Sequence, residues 1–171
     1  MIFRVLGGIL VCGSCWLLGL YMGNKGIARA KALTEFKLCL NLLRSEIEFA
    51  ARPLPLAFSH IAQKAGHAFS DFFTGLSEKL SDKGADLTTA WDDGLKGMKG
   101  AGMTQEDIRA IAGLGRALGS IDKAAQIKAI DMVSMTIDDI LMRLNAANAK
   151  DGKMYKKLGL LGGILITIIL L

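Results

Sequence analysis

Two apolar runs bracket this chain, and they constrain it more than anything that lies between them. Residues 2–23 are apolar except for Arg4, Ser14 and Tyr21. As a helix rising 1.5 Å per residue, such a run covers roughly 30 Å, enough for a hydrocarbon core. Trp16 and Tyr21 suit a bilayer interface. A cleaved signal peptide is the rival reading, with Ala28-Arg29-Ala30 as its cleavage site. Lys25 and Arg29 argue against it, because positive charge behind an apolar run resists export. The run is also longer than a usual signal core, so an uncleaved anchor is expected over residues 2–23.

The closing run, residues 158–171, is apolar apart from Thr167 and three glycines. It reaches only about 21 Å as a helix. Lys156 and Lys157 can snorkel, and Met154 and Tyr155 can lengthen the inserted part, which predicts a short second span over 154–171. A re-entrant segment is the alternative. Both runs carry glycines four apart, Gly19 with Gly23 and Gly159 with Gly163. Such pairs let membrane helices pack closely.

Charge sets the orientation. Lys25, Arg29 and Lys31 follow the first run, and Lys150, Lys153, Lys156 and Lys157 precede the second. The positive-inside rule then places residues 25–151 in the cytoplasm and both termini across the membrane. The net charge of +5 does not indicate nucleic acid. The basic residues crowd beside the apolar ends, where anionic headgroups lie, and no aromatic-interleaved basic stretch offers a base-stacking surface.

Residues 25–151 are expected to form an all-α domain. Prolines occur only at 53 and 55, and β-branched and aromatic residues are sparse. Leu33, Phe36, Leu40, Leu43, Ile47 and Ala50 recur at spacings of three and four, a seam for helix packing, with Leu38 and Leu42 widening the stripe. Lys37, Arg44 and Glu48 lie off it. Arg52-Pro53-Leu54-Pro55 stops the helix. Helices are then predicted over 54–65, with Leu56, Ala57, Ile61 and Ala65 apolar and Gly66 ending it, over 68–80, and over 86–95. Thr104 with Asp107 reads as an N-cap pair opening a further helix that carries Ile108, Ile111, Ala112, Leu114 and Leu118, closed by Gly119. A long last helix runs from about Asp122 to Lys150, with Ile130, Val133, Ile137, Ile140 and Leu144 on one side and Asp131, Asp138 and Asp139 on others. The whole predicts an antiparallel helical bundle of about six helices, flanked by two transmembrane helices.

Nothing in the sequence assembles a catalytic constellation. Cys12 and Cys15 form a Cys-x-x-Cys inside the apolar run, with no second pair or neighbouring His to complete a zinc site. Cys39 is expected in the core, in a reducing cytosol. His60 and His67 have no ligand cluster around them. Met132, Met135 and Met142 are expected in the core. The glycines from 94 to 102 lack the strand and Gly-Lys-Ser/Thr ending of a phosphate loop. No catalytic residue, cofactor or metal is therefore assigned.

Several local motifs, taken in order, carry a resemblance. They are Leu42-Leu43-Arg44-Ser45-Glu46-Ile47, Arg52-Pro53-Leu54 with Ala57, Trp91 with Leu95, Leu118-Gly119 with Asp122 and Gln126, and Lys157-Leu158-Gly159 with Gly162-Gly163. Over almost the whole chain this pattern resembles the stage III sporulation protein AB family of endospore-forming bacteria. Phe49 stands where a Tyr is frequent in that pattern, and Pro55 is an extra proline. The family looks similar to the inner-membrane platform proteins of type II secretion and type IV pilus machines. The resemblance implies a type II secretion F-like cytoplasmic domain. It also implies membership of a channel complex in the outer forespore membrane, on the mother-cell side, with a cytoplasmic sporulation ATPase of the stage III sporulation protein AA type as partner. Self-association is left open.

The leading expectation is a non-catalytic membrane platform. A membrane-tethered adaptor that binds a soluble regulator is the alternative, and a membrane enzyme is disfavoured by the missing constellation. If the domain faces an ATPase, the turns after the first long helix and before the last should form the membrane-distal end. Arg52, Asp122 and Gln126 are the partner-facing candidates there, with capping and solvation as their plainer roles.

Overall fold

The computed structural model describes residues 26–50, 52–82, 85–98 and 101–170, the side chains of Ala68 and of residues 148–170 excepted. Among the described residues every regular element is helical. Helix α1 covers 26–45 and runs into a π-helical turn, Glu46–Ala50. Then come α2 (Leu54–Ala62), α3 (His67–Ser81), α4 (Leu87–Gly97), α5 (Gln105–Ala112), α6 (Leu114–Leu118) and α7 (Lys123–Leu170). Residues Lys31–Leu141 form one compact unit.

The α1 seam is buried at Leu33, Phe36, Leu40, Leu43 and Ile47, joined by Ala32 and Cys39. Ala50 is exposed instead. The wider π turn rotates each residue less, so Ala50 does not come back to the core face. Leu38, expected to widen the stripe, is 58% exposed. It stands two positions after Phe36, which is the far side of the helix.

Aromatic rings bind the next three helices to α1. Phe36 stacks on Phe73 at 6.4 Å and lies 5.6 Å from Phe69, while Phe72 meets Trp91 edge-on at 5.1 Å. Phe58 of α2, which the predicted stripe omits, is fully buried against Phe73 and Trp91. The α2 core face is Ala57, Phe58, Ile61 and Ala62, and Leu56 is exposed. This helix opens with Pro55 in its first turn, where a missing N–H costs nothing. It ends at Ala62 rather than Ala65, and Gly66 caps the start of α3 instead of the end of α2.

Two short helices replace the single one expected after Thr104, because the chain breaks at Gly113. Thr104 and Asp107 form a full reciprocal capping box. The Asp107 carboxylate accepts from the Thr104 N–H at 2.8 Å, and Thr104 Oγ1 accepts from the Asp107 N–H. Trp91 Nε1 donates to the Ile111 carbonyl at 3.3 Å. Gly115 sits so close under Trp91 that a Cβ there would lie 2.5 Å from the ring. Buried Cys39 belongs to the core as expected, and burial pushes its thiol up to about 12.

Along α7, Ile130 and Ile137 are buried and Val133, Ile140 and Leu144 half-buried. Met132, Met135 and Met142, expected in the core, are 61%, 69% and 68% exposed. Their spacing places them on the side of the helix opposite Ile130 and Ile137.

The first expected span, 2–23, with Gly19 and Gly23, lies outside the described residues. For the second, 154–171, the backbone is helical to Leu170, and the surroundings of Gly159 and Gly163 lie outside the description. Among the described residues no helix is long and apolar enough to cross a membrane.

Candidate functional site

Lys37 and Arg44 of α1 and Glu48 of the π turn each contact α7. Lys37 Nζ donates to both Asp138 carboxylate oxygens at 2.6 and 2.7 Å. Arg44 Nε donates to Asp131 Oδ1 at 2.9 Å. Lys123 Nζ donates to the Glu48 carbonyl at 2.6 Å. Numbers rise along α1 while they fall along α7, so the two helices are antiparallel. The aspartates that periodicity placed merely off the seam are its lateral clasps. It follows that Lys31 and Leu141, where the chain enters and leaves the compact unit, share one end of the helix pair. The π turn, Arg52 and the start of α7 share the other.

At this second end Glu46 is the organising group. Its side chain is only 12% exposed. His60 Nδ1 stands 2.5 Å from Glu46 Oε1. Arg52 Nη1 lies 3.1 Å from Glu46 Oε2, an ion pair by distance whose angle falls short of a hydrogen bond. Glu48, on another face, pairs with Arg44. The cluster fastens the π turn to Arg52 and α2. It contains no nucleophile, and among the described residues no group of three His, Cys, Asp or Glu side chains could hold a metal ion. His67 begins α3 as an exposed residue apart from this cluster.

Each partner-facing candidate is engaged by its own chain. Arg52 serves Glu46. Gln126 Nε2 donates to the carbonyls of Leu118 and Ser120, both at 2.7 Å, which closes α6. Asp122 Oδ1 accepts from the Ala124 N–H at 3.0 Å at the entry to α7. The Lys123–Glu48 contact does bring the start of α7 to the π turn, so the three candidates belong to one end of the domain.

That end also displays large apolar side chains that periodicity does not single out. Phe49 in the π turn is 79% exposed, Leu56 in the first turn of α2 is 60% exposed, and Ile121 before α7 is fully exposed. Ile121 stands alone between Ser120 and Asp122, which is its one legible signal: a large apolar residue in a polar turn.

These features define a class: an all-helical packing domain closed by its own first and last helices. The sequence matches the family described as Stage III sporulation protein AB (spore_III_AB) over residues 4–171, and the chain belongs to that family. Stage III sporulation protein AB of Bacillus subtilis (strain 168) is 27% identical over 170 residues, covering 98% of this chain and 99% of that relative. A solved structure of Stage III sporulation protein AB (SpoIIIAB) shares the fold with a TM-score of 0.65 at 22% identity, covering 71% of this chain and 97% of that one.

Proposed function

We propose that this sporulation-family protein is a non-catalytic membrane platform of a mother cell–forespore channel complex required for endospore development. In this reading residues 2–23 and 154–171 are its anchors, and residues 25–151 lie in the cytoplasm on the mother-cell side of the outer forespore membrane. The loop end faces a cytoplasmic secretion-type ATPase, with other channel proteins as further partners.

One observation carries the reading. The antiparallel register of Lys37–Asp138 and Arg44–Asp131 brings the entry and exit of the compact unit to the same end. A domain tethered through both termini to one membrane needs that arrangement. The opposite end is then free to meet a soluble motor. The lysines and arginines beside both apolar runs support the cytoplasmic placement.

Reporter fusions after Gly102 and after Leu171 test the topology. Cytoplasmic reporter activity is expected from the first and not from the second, and the reverse result removes the ATPase-facing reading. Deletion of the gene is expected to block development after engulfment and to leave vegetative growth normal. A vegetative defect would move the protein to the adaptor class.

A further inference from the structure

The exposed side of α1 is unlike an ordinary solvated helix face. From residue 31 to residue 45 the exposed positions are Lys31, Thr34, Leu38, Asn41 and Ser45, a stripe at alternating spacings of three and four with one charge in five. In the middle of α3 the exposed positions are Asp71, Thr74, Glu78 and Lys79, three of them charged, as a solvent-facing side usually is. On α7 the stripe is Lys128, Met132, Met135 and Asp139, exposed throughout, with two large apolar residues at its centre.

The two stripes share one face. Leu38 lies across its helix from Phe36, and Met135 lies across its helix from Ile137. Phe36 and Ile137 are both buried in the same compact unit. The Lys37–Asp138 and Arg44–Asp131 pairs hold the two helices side by side. The sides turned away from the core therefore form one outer layer, and the charges along the joint between its helices are already paired with each other.

Those pairs also fix the heights. Leu38 is level with Ile137, Asn41 with Ser134, and Ser45 with Ile130. A half-turn about an axis parallel to the helices sets α1 of one copy against α7 of another and leaves every height unchanged. Leu38 then falls between Met135 and Asp139 of the second copy, Asn41 between Met132 and Met135, and Ser45 between Lys128 and Met132. Each residue of one stripe enters a gap in the other, which is what knobs-into-holes packing requires. Lys128 faces Ser45, and Asp139 faces the stretch between Thr34 and Leu38, so no like charges meet there. A foreign helix would have to reproduce both this spacing and this scarcity of charge. The chain's own α7 already has both.

The layer is small. From Lys31 to Ser45 α1 rises about 21 Å, and two helices side by side are about 20 Å wide. Each copy then covers roughly 400 Å², against about 800 Å² per partner in a standard interface. Such a contact is weak between free molecules. Two copies standing in one membrane meet at high effective concentration, with their helices already aligned.

We propose that the outer layer of α1 and α7 is a self-association surface, on which a second copy of this chain packs face to face about a two-fold axis running along the bundle. The inference rests on the anchored reading, which stands both copies in one membrane. It needs no particular side of that membrane, and the surface is separate from the loop end.

The test uses the full-length protein in native membranes, as two differently tagged copies that both carry Cys12→Ala and Cys15→Ala. One copy also carries Leu38→Cys and the other Met135→Cys, and a short bifunctional thiol reagent is added. Cys39 is buried and stays silent. Leu38 and Met135 of a single copy share the layer too, so only a link between the two tags counts. That link should form, and Asp71→Cys paired with Glu78→Cys on α3 should yield about tenfold less. Met132→Glu in both copies should lower the link about fivefold or more while the melt stays cooperative, because an exposed substitution costs the fold little. Unlinked tags although both thiols react with a one-armed reagent, an equal yield from the α3 pair, or a yield untouched by Met132→Glu would each overturn the proposal. Protection of both thiols without a link would give the face to a different occupant and overturn it as well. A missing link in protein that stays in the membrane fraction removes the pairing alone, whereas absence from that fraction removes the anchored reading with it.

Discussion

Lys37 and Asp138 stand 101 positions apart in the sequence, and their charged groups meet at 2.6 Å. One heptad further along each helix, Arg44 meets Asp131 at 2.9 Å. These pairs are partly exposed, so each is worth well under 1 kcal/mol as an attraction. Their larger role is to exclude other registers, since a slip of α7 would set like charges or apolar groups against them.

A charge swap reads that role directly. Lys37→Asp puts two carboxylates face to face and should lower the thermal midpoint by a few degrees. Adding Asp138→Lys should recover most of the loss. A double variant no more stable than the single one would show that the pair does not set the register.

Glycine substitutions separate packing from open space. Gly75→Ala adds a methyl that meets nothing inside α3 and should raise stability by up to about 1 kcal/mol through helix propensity. Gly115→Ala drives a methyl into Trp91 and should cost about 1–3 kcal/mol. Denaturant midpoints of the two variants check both signs.

The helical class was readable from the residues because local periodicity encodes which face of a helix is buried. Leu33, Phe36, Leu40, Leu43 and Ile47 follow one stripe, and burial follows them. What periodicity does not encode is a change of helical pitch or a partner far along the chain. The π turn moved Ala50 outward, and nothing near Glu46 in sequence announces His60 or Arg52 as its partners. The methionines show a further limit. Met132 and Met135 are as apolar as a core stripe requires, but only their angle relative to Ile130 and Ile137 shows that they face outward. Arg52, Asp122 and Gln126 mark the candidate end in sequence, because their polarity signals exposure. The ion pair of Arg52 and the hydrogen bonds of Asp122 and Gln126, invisible in sequence, turn them into fasteners.

The start of α4 carries a pH dependence. Asp86 accepts from the Thr89 N–H at 3.0 Å and from Thr89 Oγ1 at 2.9 Å. The backbone hydrogen bond from Thr89, followed by the side-chain one, holds its carboxyl below the ordinary 3.8. A depressed carboxyl stabilises the fold above its unfolded value and loses that contribution as pH falls through the folded value. Asp86→Ala should therefore melt below the wild type at neutral pH, and the gap should close in acid below the carboxylate range. A gap that persists unchanged there would assign the effect to something other than the cap's charge.

The loop end gives the most direct test of a docking role, and the test depends on which side chains are removed. Truncating Arg52, Asp122 and Gln126 together would strip Glu46 of its cation, α6 of its closing donor and α7 of its cap. Losing one of the two partners of a nearly buried carboxylate, together with the donor and the cap, is itself destabilising, so loss of function in that variant could reflect unfolding alone. Phe49, Leu56 and Ile121 carry no such burden, because they are exposed. Phe49→Ser, Leu56→Ser and Ile121→Ser combined should leave the melt within a few degrees of the wild type. If this end meets a cytoplasmic ATPase, the same variant should lose co-purification with that ATPase and form far fewer spores, since large apolar side chains commonly supply the core of such contacts. Wild-type spore yield from the triple variant at wild-type protein level would exclude the loop end as the motor-facing surface.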